Sequence, residues 1–153
     1  MAYGVIRVEN ASGITLGKDL FSLKCESAIE NGRVVVVGDY VSGEVRAFSA
    51  PTAKTAMGNV AIIASEEIVK TKGNNTLAEF RNEAGSIARG YRLVSGDIYG
   101  LTAECFEGTP AKGNVVELMA GTKLNAVASA TEGSTVVGKI VDVEGKYFVV
   151  EIA

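Results

Sequence analysis

Residues 19–60 of this chain recur, in order, at residues 97–140. Asp19-Leu20-Phe21-Ser22-Leu23-Lys24-Cys25-Glu26 aligns with Asp97-Ile98-Tyr99-Gly100-Leu101-Thr102-Ala103-Glu104. Gly32-Arg33-Val34-Val35 then meets Gly113-Asn114-Val115-Val116. Ser49-Ala50 meets Ser129-Ala130, Thr55 meets Thr135, and Gly58-Asn59-Val60 meets Gly138-Lys139-Ile140. A repeat carried by short valine- and glycine-rich segments restricts the chain to two copies of one β-unit. The expected fold is mainly β, with two related barrel- or sandwich-like halves over about 12–66 and 92–153. As domains the division is 1–70 and 71–153, either separate or joined in one compact unit.

Local patterning agrees, because the recurring apolar period is that of strands. Asp19 to Cys25 alternates Leu20, Ser22 and Lys24 with Phe21, Leu23 and Cys25. Val34-Val35-Val36-Val37 is a continuous β-branched run, which fits a strand covered on both faces. Gly38-Asp39 and Ser42-Gly43 read as turns. Val115–Met119, Val136–Val143 and Tyr147–Ile152 read as three further strands, the last two joined by a hairpin at Glu144-Gly145. The final strand implies a C-terminus pinned into a sheet. The small-residue stretches at 49–56 and 126–135 occupy matching places in the two copies, and they fit either loops or flat strands.

One segment departs from this pattern. Thr76-Leu77-Ala78-Glu79 is a capping box, with Leu77, Phe80 and Ala84 at helical spacing and Gly85 as a stop. A short helix is therefore expected at about 77–84, between the two copies.

Composition removes several kinds of chemistry. The chain has no histidine, which excludes the Ser-His-Asp and Cys-His arrangements and the commonest zinc ligand. Two isolated cysteines, Cys25 and Cys105, fall at non-matching positions of the two copies and read as reduced, buried thiols. Asp19 and Asp97 follow glycine-containing turns, where an aspartate hydrogen-bonds its own turn. No phosphate loop or calcium loop is present. We therefore expect no catalytic residue, no cofactor and no metal. A net charge of −3 gives no footprint for nucleic acid, and no apolar run approaches the roughly 20 residues of a membrane helix. The N-terminus lacks the basic and apolar regions of a signal peptide, so synthesis in a cytoplasm is expected.

The stretch Thr76 to Leu93, followed by Gly96-Asp97-Ile98-Tyr99, resembles the small proteins encoded beside the major capsid protein of tailed bacteriophages. Gly113-Asn114-Val115-Val116-Glu117-Leu118, leading to Gly138-Lys139-Ile140-Val141, is similar to the barrel-forming repeat of phage capsid decoration proteins. The resemblance covers about residues 74–152, with an echo at 30–62. It implies a non-enzymatic decoration or cement protein on the outer surface of an assembled capsid, with the major capsid protein as partner and a virion location. Self-association is compatible with that role. The N-terminal segment Ala2, Tyr3, Gly4, Val5, Ile6 and Arg7 has a strand pattern with no counterpart in the repeat. It is the candidate capsid contact, by strand addition to a neighbouring sheet edge. The alternative is a soluble β-rich module that binds a polymer or glycan on a virion or cell surface.

Overall fold

The computed structural model describes residues 3–10, 20–65 and 81–153. Twelve strands account for the fold: β1 (Ile6–Asn10), β2 (Leu20–Lys24), β3 (Val34–Ser42), β4 (Val45–Ser49), β5 (Val60–Ile63), β6 (Ile87–Arg92), β7 (Ile98–Thr102), β8 (Phe106–Glu107), β9 (Val115–Glu117), β10 (Leu124–Val127), β11 (Val136–Glu144) and β12 (Tyr147–Ile152). The first five after β1 close into a barrel of order β2-β4-β3-β5-β6. The remainder form a sheet of order β1-β7-β12-β11-β9-β10-β8. Strand β8 continues β7 past a single 3-10 turn at Ala103–Cys105, so this sheet also curls back on itself.

The strand pairings repeat one for one. In the first barrel β2 pairs with β6, β6 with β5, β5 with β3, and β3 with β4, all antiparallel. In the second, β7 pairs with β12, β12 with β11, β11 with β9, and β9 with β10, again antiparallel. Each circuit has one parallel pair, β2 with β4 and β8 with β10. The turn entering the second strand is duplicated as well. Gly32 N donates to Ile63 O and Gly113 N to Ile140 O, both at 2.8 Å, while Ile63 N to Arg33 O and Ile140 N to Asn114 O are both 2.9 Å. The duplication is thus present in the hydrogen-bond pattern, which is a more stringent match than apolar spacing.

The structure corrects the alignment at its far end. Ala61, Ile62 and Ile63 pair with Arg92, Tyr91 and Gly90, as Gly138, Lys139 and Ile140 pair with Ile152, Glu151 and Val150. Gly138 therefore matches Ala61, three residues beyond the glycine that the sequence aligns with it. The first copy also extends further than residue 66, because its fifth strand is β6. In the other direction β1 joins the second sheet, with Ile6 opposite Leu101 and Val8 opposite Tyr99. Sheet membership consequently does not follow a division at residues 70 and 71.

The expected helix is not seen. Residues 77–80 lie outside the described residues, and 81–84 are not helical. Asn82 instead forms an antiparallel bridge with Ile29, using both backbone groups (Ile29 N to Asn82 O 2.9 Å, Asn82 N to Ile29 O 2.8 Å). A backbone amide and carbonyl spent across the chain cannot also serve an i to i−4 ladder. Gly85, the expected helix stop, sits at φ 86° in the turn that enters β6.

The valine run shows why the two barrels form one unit. Val35 and Val37 point into the first barrel with Leu23, Cys25, Ala61, Ile63 and Ala88. Val34 belongs to a second cluster with Val60, Ile62 and Tyr91 of the first barrel and Tyr99, Leu101, Val116, Ile140 and Ile6 of the second sheet. The strand is covered on both faces, as its continuous apolar character predicts. Backbone bonds cross the same junction: Val34 N to Thr122 O at 2.8 Å, Gly121 N to Pro51 O at 3.3 Å and Thr135 N to Ala53 O at 2.7 Å. Of the stretches 49–56 and 126–135, Ser49 ends β4 and Ala126-Val127 end β10, and the rest is non-strand connection.

Candidate functional site

Among the described residues the recurring carboxylates do not converge. Asp97 is buried at the start of β7, where its backbone bonds Val94 and Ile152. Glu26 and Glu104 are exposed at the ends of their strands. Asp19 and Glu66-Glu67 lie outside the described residues. No group of three or more His, Cys, Asp or Glu side chains suited to a metal occurs among the described residues.

Glu117 is the most completely buried carboxylate among the described residues, at 1 % exposure. It accepts from Asn125 Nδ2 (3.1 Å), Thr131 N (2.9 Å) and Thr131 Oγ1 (2.6 Å). Burial by itself raises this carboxyl, but the bonds from Thr131 and Asn125 outweigh it and leave the group below its usual range. These are partners from β10 and the following loop, so the carboxylate staples residues 125–131 to β9. Its role is structural.

Two other buried polar groups, Asn31 and Asn82, tie the chain just after β5 to the chain ahead of β6, within the first copy. Asn31 Nδ2 donates to Ser65 O (2.9 Å), and Asn31 Oδ1 accepts from Ser65 N (3.1 Å) and Asn82 Nδ2 (3.1 Å). Asn82 Nδ2 also reaches Ile29 O at 3.0 Å. Nearby, Glu30 accepts from Gly4 N at 2.8 Å and pairs with Arg33, which also donates to Thr122 Oγ1. Cys105 packs at this junction, fully buried, and its thiol is pushed up to about 11 by burial. A Cβ at Gly4 would lie 2.8 Å from its sulfur, so the N-terminal segment needs glycine there. Cys25 is buried in the other core cluster and its thiol is likewise raised by burial. Both are free thiols.

The N-terminal segment is occupied by this chain. Ala2 lies outside the described residues, while Gly4, Val5 and Ile6 are buried. Val5 N donates to Thr102 Oγ1 at 3.1 Å, and Arg7 pairs with Glu144 at 2.8 Å and stacks over Tyr147 at 4.1 Å. Strand addition does occur here, but to the chain's own β7. Tyr3 is half-buried beside Arg81. Of these six residues, Gly4 to Arg7 make contacts within this chain.

The Ser42-Gly43 turn is present as the tip of the β3–β4 hairpin, but the exposed strand leading to it departs from the expectation. Gly38-Asp39 is not a turn; β3 runs through it to Ser42, with irregularities in register on either side of Tyr40. The hairpin turns at Gly43, φ 57°, and carries the two most exposed large apolar side chains among the described residues, Tyr40 at 68 % and Val41 at 58 %. Arg46 stacks over Tyr40 at 4.7 Å and bonds Gly38 O at 2.9 Å, which braces the hairpin. The available signal was a Tyr-Val pair lying between two glycine-containing dipeptides. At the opposite end of the same barrel is a cleft of about 350 Å³ lined by Lys24, Ala28, Ile29, Val35, Phe48 and Ala50, with Thr122 of the second copy at its edge.

No family model matches the chain, and no curated protein matches its sequence.

Proposed function

We propose that this chain is a non-enzymatic structural protein that binds the outer surface of an assembled phage capsid and stabilises it. The resemblance of residues 74–152 to capsid decoration proteins supplies the partner, the major capsid protein, and the virion location. The observation that supports the role is the placement of exposed apolar surface. Tyr40 and Val41 stand exposed on a braced hairpin in the wall of the first barrel, which suits a contact element on a rigid support.

A protein of 153 residues can offer about 800 Å² to each partner of a standard interface. Contacts to two neighbouring capsid subunits make the second contact effectively intramolecular, so modest individual affinities give tight retention. Binding to the lattice but not to free subunits opposes their separation by mass action.

Sedimentation of the purified protein with assembled capsids, and separately with free capsid subunits, tests this reading. The expected result is co-sedimentation with particles and weaker binding to subunits, with particles that resist heat better when decorated. No association with particles, or equal binding to unassembled subunits, overturns it.

A further inference from the structure

We propose that the β3–β4 hairpin tip of one copy enters the cleft between Lys24 and Ala50 on the first barrel of a second copy, giving head-to-tail self-association. This does not depend on the capsid reading; it follows from the fold of the first barrel.

The hairpin is longer in the first copy than in the second. Its counterpart in the second copy closes a circuit of the same topology with β9 and β10 of only three and four residues. In the first copy β3 has nine residues, of which only Val34 to Val36 pair with β5. Residues 38–42 therefore extend past the β5 pairing, opposite the Val45-Arg46 part of β4 that closes the barrel against β2. They expose an aromatic and a β-branched side chain to water, and the Arg46 contacts reduce the entropy lost when they dock.

The receptor lies where this chain's own tip cannot reach it. The cleft is built on the start of β3 and the end of β4, whereas the tip is at the end of β3 and the start of β4. Val35 and Tyr40 are separated along the strand by roughly 16 Å. An element at one end and its receptor at the other make a heterologous contact, which propagates into a ring or an open chain.

The same end of the barrel already accepts an equivalent connection. The β9–β10 connection is the repeat counterpart of the β3–β4 tip, and within one chain it packs there through Thr122 O on Val34 N and Gly121 N on Pro51 O. Thr122 borders the cleft, so an incoming tip lies alongside an interface of the same kind. The walls are apolar at Ala28, Ile29, Val35, Phe48 and Ala50, matching Tyr40 and Val41. Asp39 and Glu44 flank the tip, and Lys24 stands at the rim facing them; Glu26, also on the rim, opposes. The contact is small. A six-residue tip covers well under the roughly 800 Å² per partner of a standard interface, so dissociation in the high-micromolar range is expected.

Sedimentation velocity of the full chain from about 10 μM to 1 mM tests the proposal across that range. The wild type is expected to gain mass with concentration. Tyr40→Ser at the tip and Ala50→Trp at the exposed cleft wall are each expected to weaken association at least about tenfold. The decisive sample is the equimolar mixture. One variant keeps a working cleft and the other a working tip, so the mixture should form dimers and nothing larger. A wild type that stays monomeric to the highest concentration, variants that associate like the wild type, or a mixture that forms no dimer overturns the proposal. Circular dichroism confirms that each variant is folded. Ala28→Trp, on the opposite exposed wall, replaces Ala50→Trp if the latter is not.

Discussion

Glu117→Ala removes a buried carboxylate that three donors depend on, and its consequence can be worked out bond by bond. The two Thr131 donors and Asn125 Nδ2 lie at 2.6, 2.9 and 3.1 Å from an acceptor that is 1 % exposed. A hydrogen bond to a charged group contributes about 1.5–3 kcal/mol, and donors left buried without a partner add their own desolvation cost. Because the three bonds share one carboxylate they do not add in full, and the expected loss is about 3–5 kcal/mol. For a chain of this length that lowers the midpoint of thermal unfolding by roughly 10 °C. Glu117→Gln keeps the volume and one oxygen, but its amide turns a donor toward a donor, so a loss of about 1–3 kcal/mol is expected. The pH dependence has a definite sign. The carboxyl is lower in the folded state than the unfolded value of about 4.3, so its contribution is complete above that pH and drains away as pH falls through the folded value. Urea unfolding at neutral pH and in steps through the acid range measures both effects. Wild type and Glu117→Gln should converge in stability as the pH falls. A double-mutant cycle of Glu117→Gln with Thr131→Val should show coupling above about 1 kcal/mol. If Glu117→Ala costs less than about 1 kcal/mol, or the cycle is additive, the staple does not hold the loop and the reasoning fails.

Gly138→Ala is expected to cost several kcal/mol or to prevent folding. A Cβ there would overlap the Glu151 carbonyl oxygen and lie 3.0 Å from its carbon, against backbone that cannot yield. Gly58→Ala, which meets nothing within 4 Å, is the control and should leave the urea midpoint nearly unchanged. Cys25 and Cys105, buried in separate core clusters, should react with a thiol reagent only on unfolding, and intact mass should not change on reduction. A two-dalton gain with reductant, or rapid labelling of the native protein, would contradict this.

How far the sequence reached is clearest at particular residues. Leu20–Leu23 and Ile98–Leu101 align by eye and occupy matching strands, because side-chain alternation and the aspartate at each strand start are local properties. The Val34–Val37 run announced a strand buried on both faces, and Gly145, at φ 61°, turns the last hairpin as its position predicts. The length of the first copy was not legible. Its fifth strand, β6, exposes Ile87 and Arg89 and ends in Arg92, and so lacks the valine signature of β12. The candidate contact surface was less legible still, since an exposed Tyr-Val pair is recognisable only once the barrel beneath it is known to be closed.

The sequence alone determined that this is a duplicated β protein with little acid–base equipment, because periodicity, glycine placement and the lack of histidine need no partner to be read. Tertiary structure decided which strands close which barrel, that β1 adds to β7, and that Asn82 bridges Ile29 where a capping box had favoured a helix. It also decided that Glu117, an ordinary acid in a strand pattern, is a buried staple. The physical reason is common to all four. Each depends on where a backbone edge or a polar side chain finds its partner across the fold, and such pairings outweigh the few tenths of a kcal/mol by which local propensity separates one conformation from another.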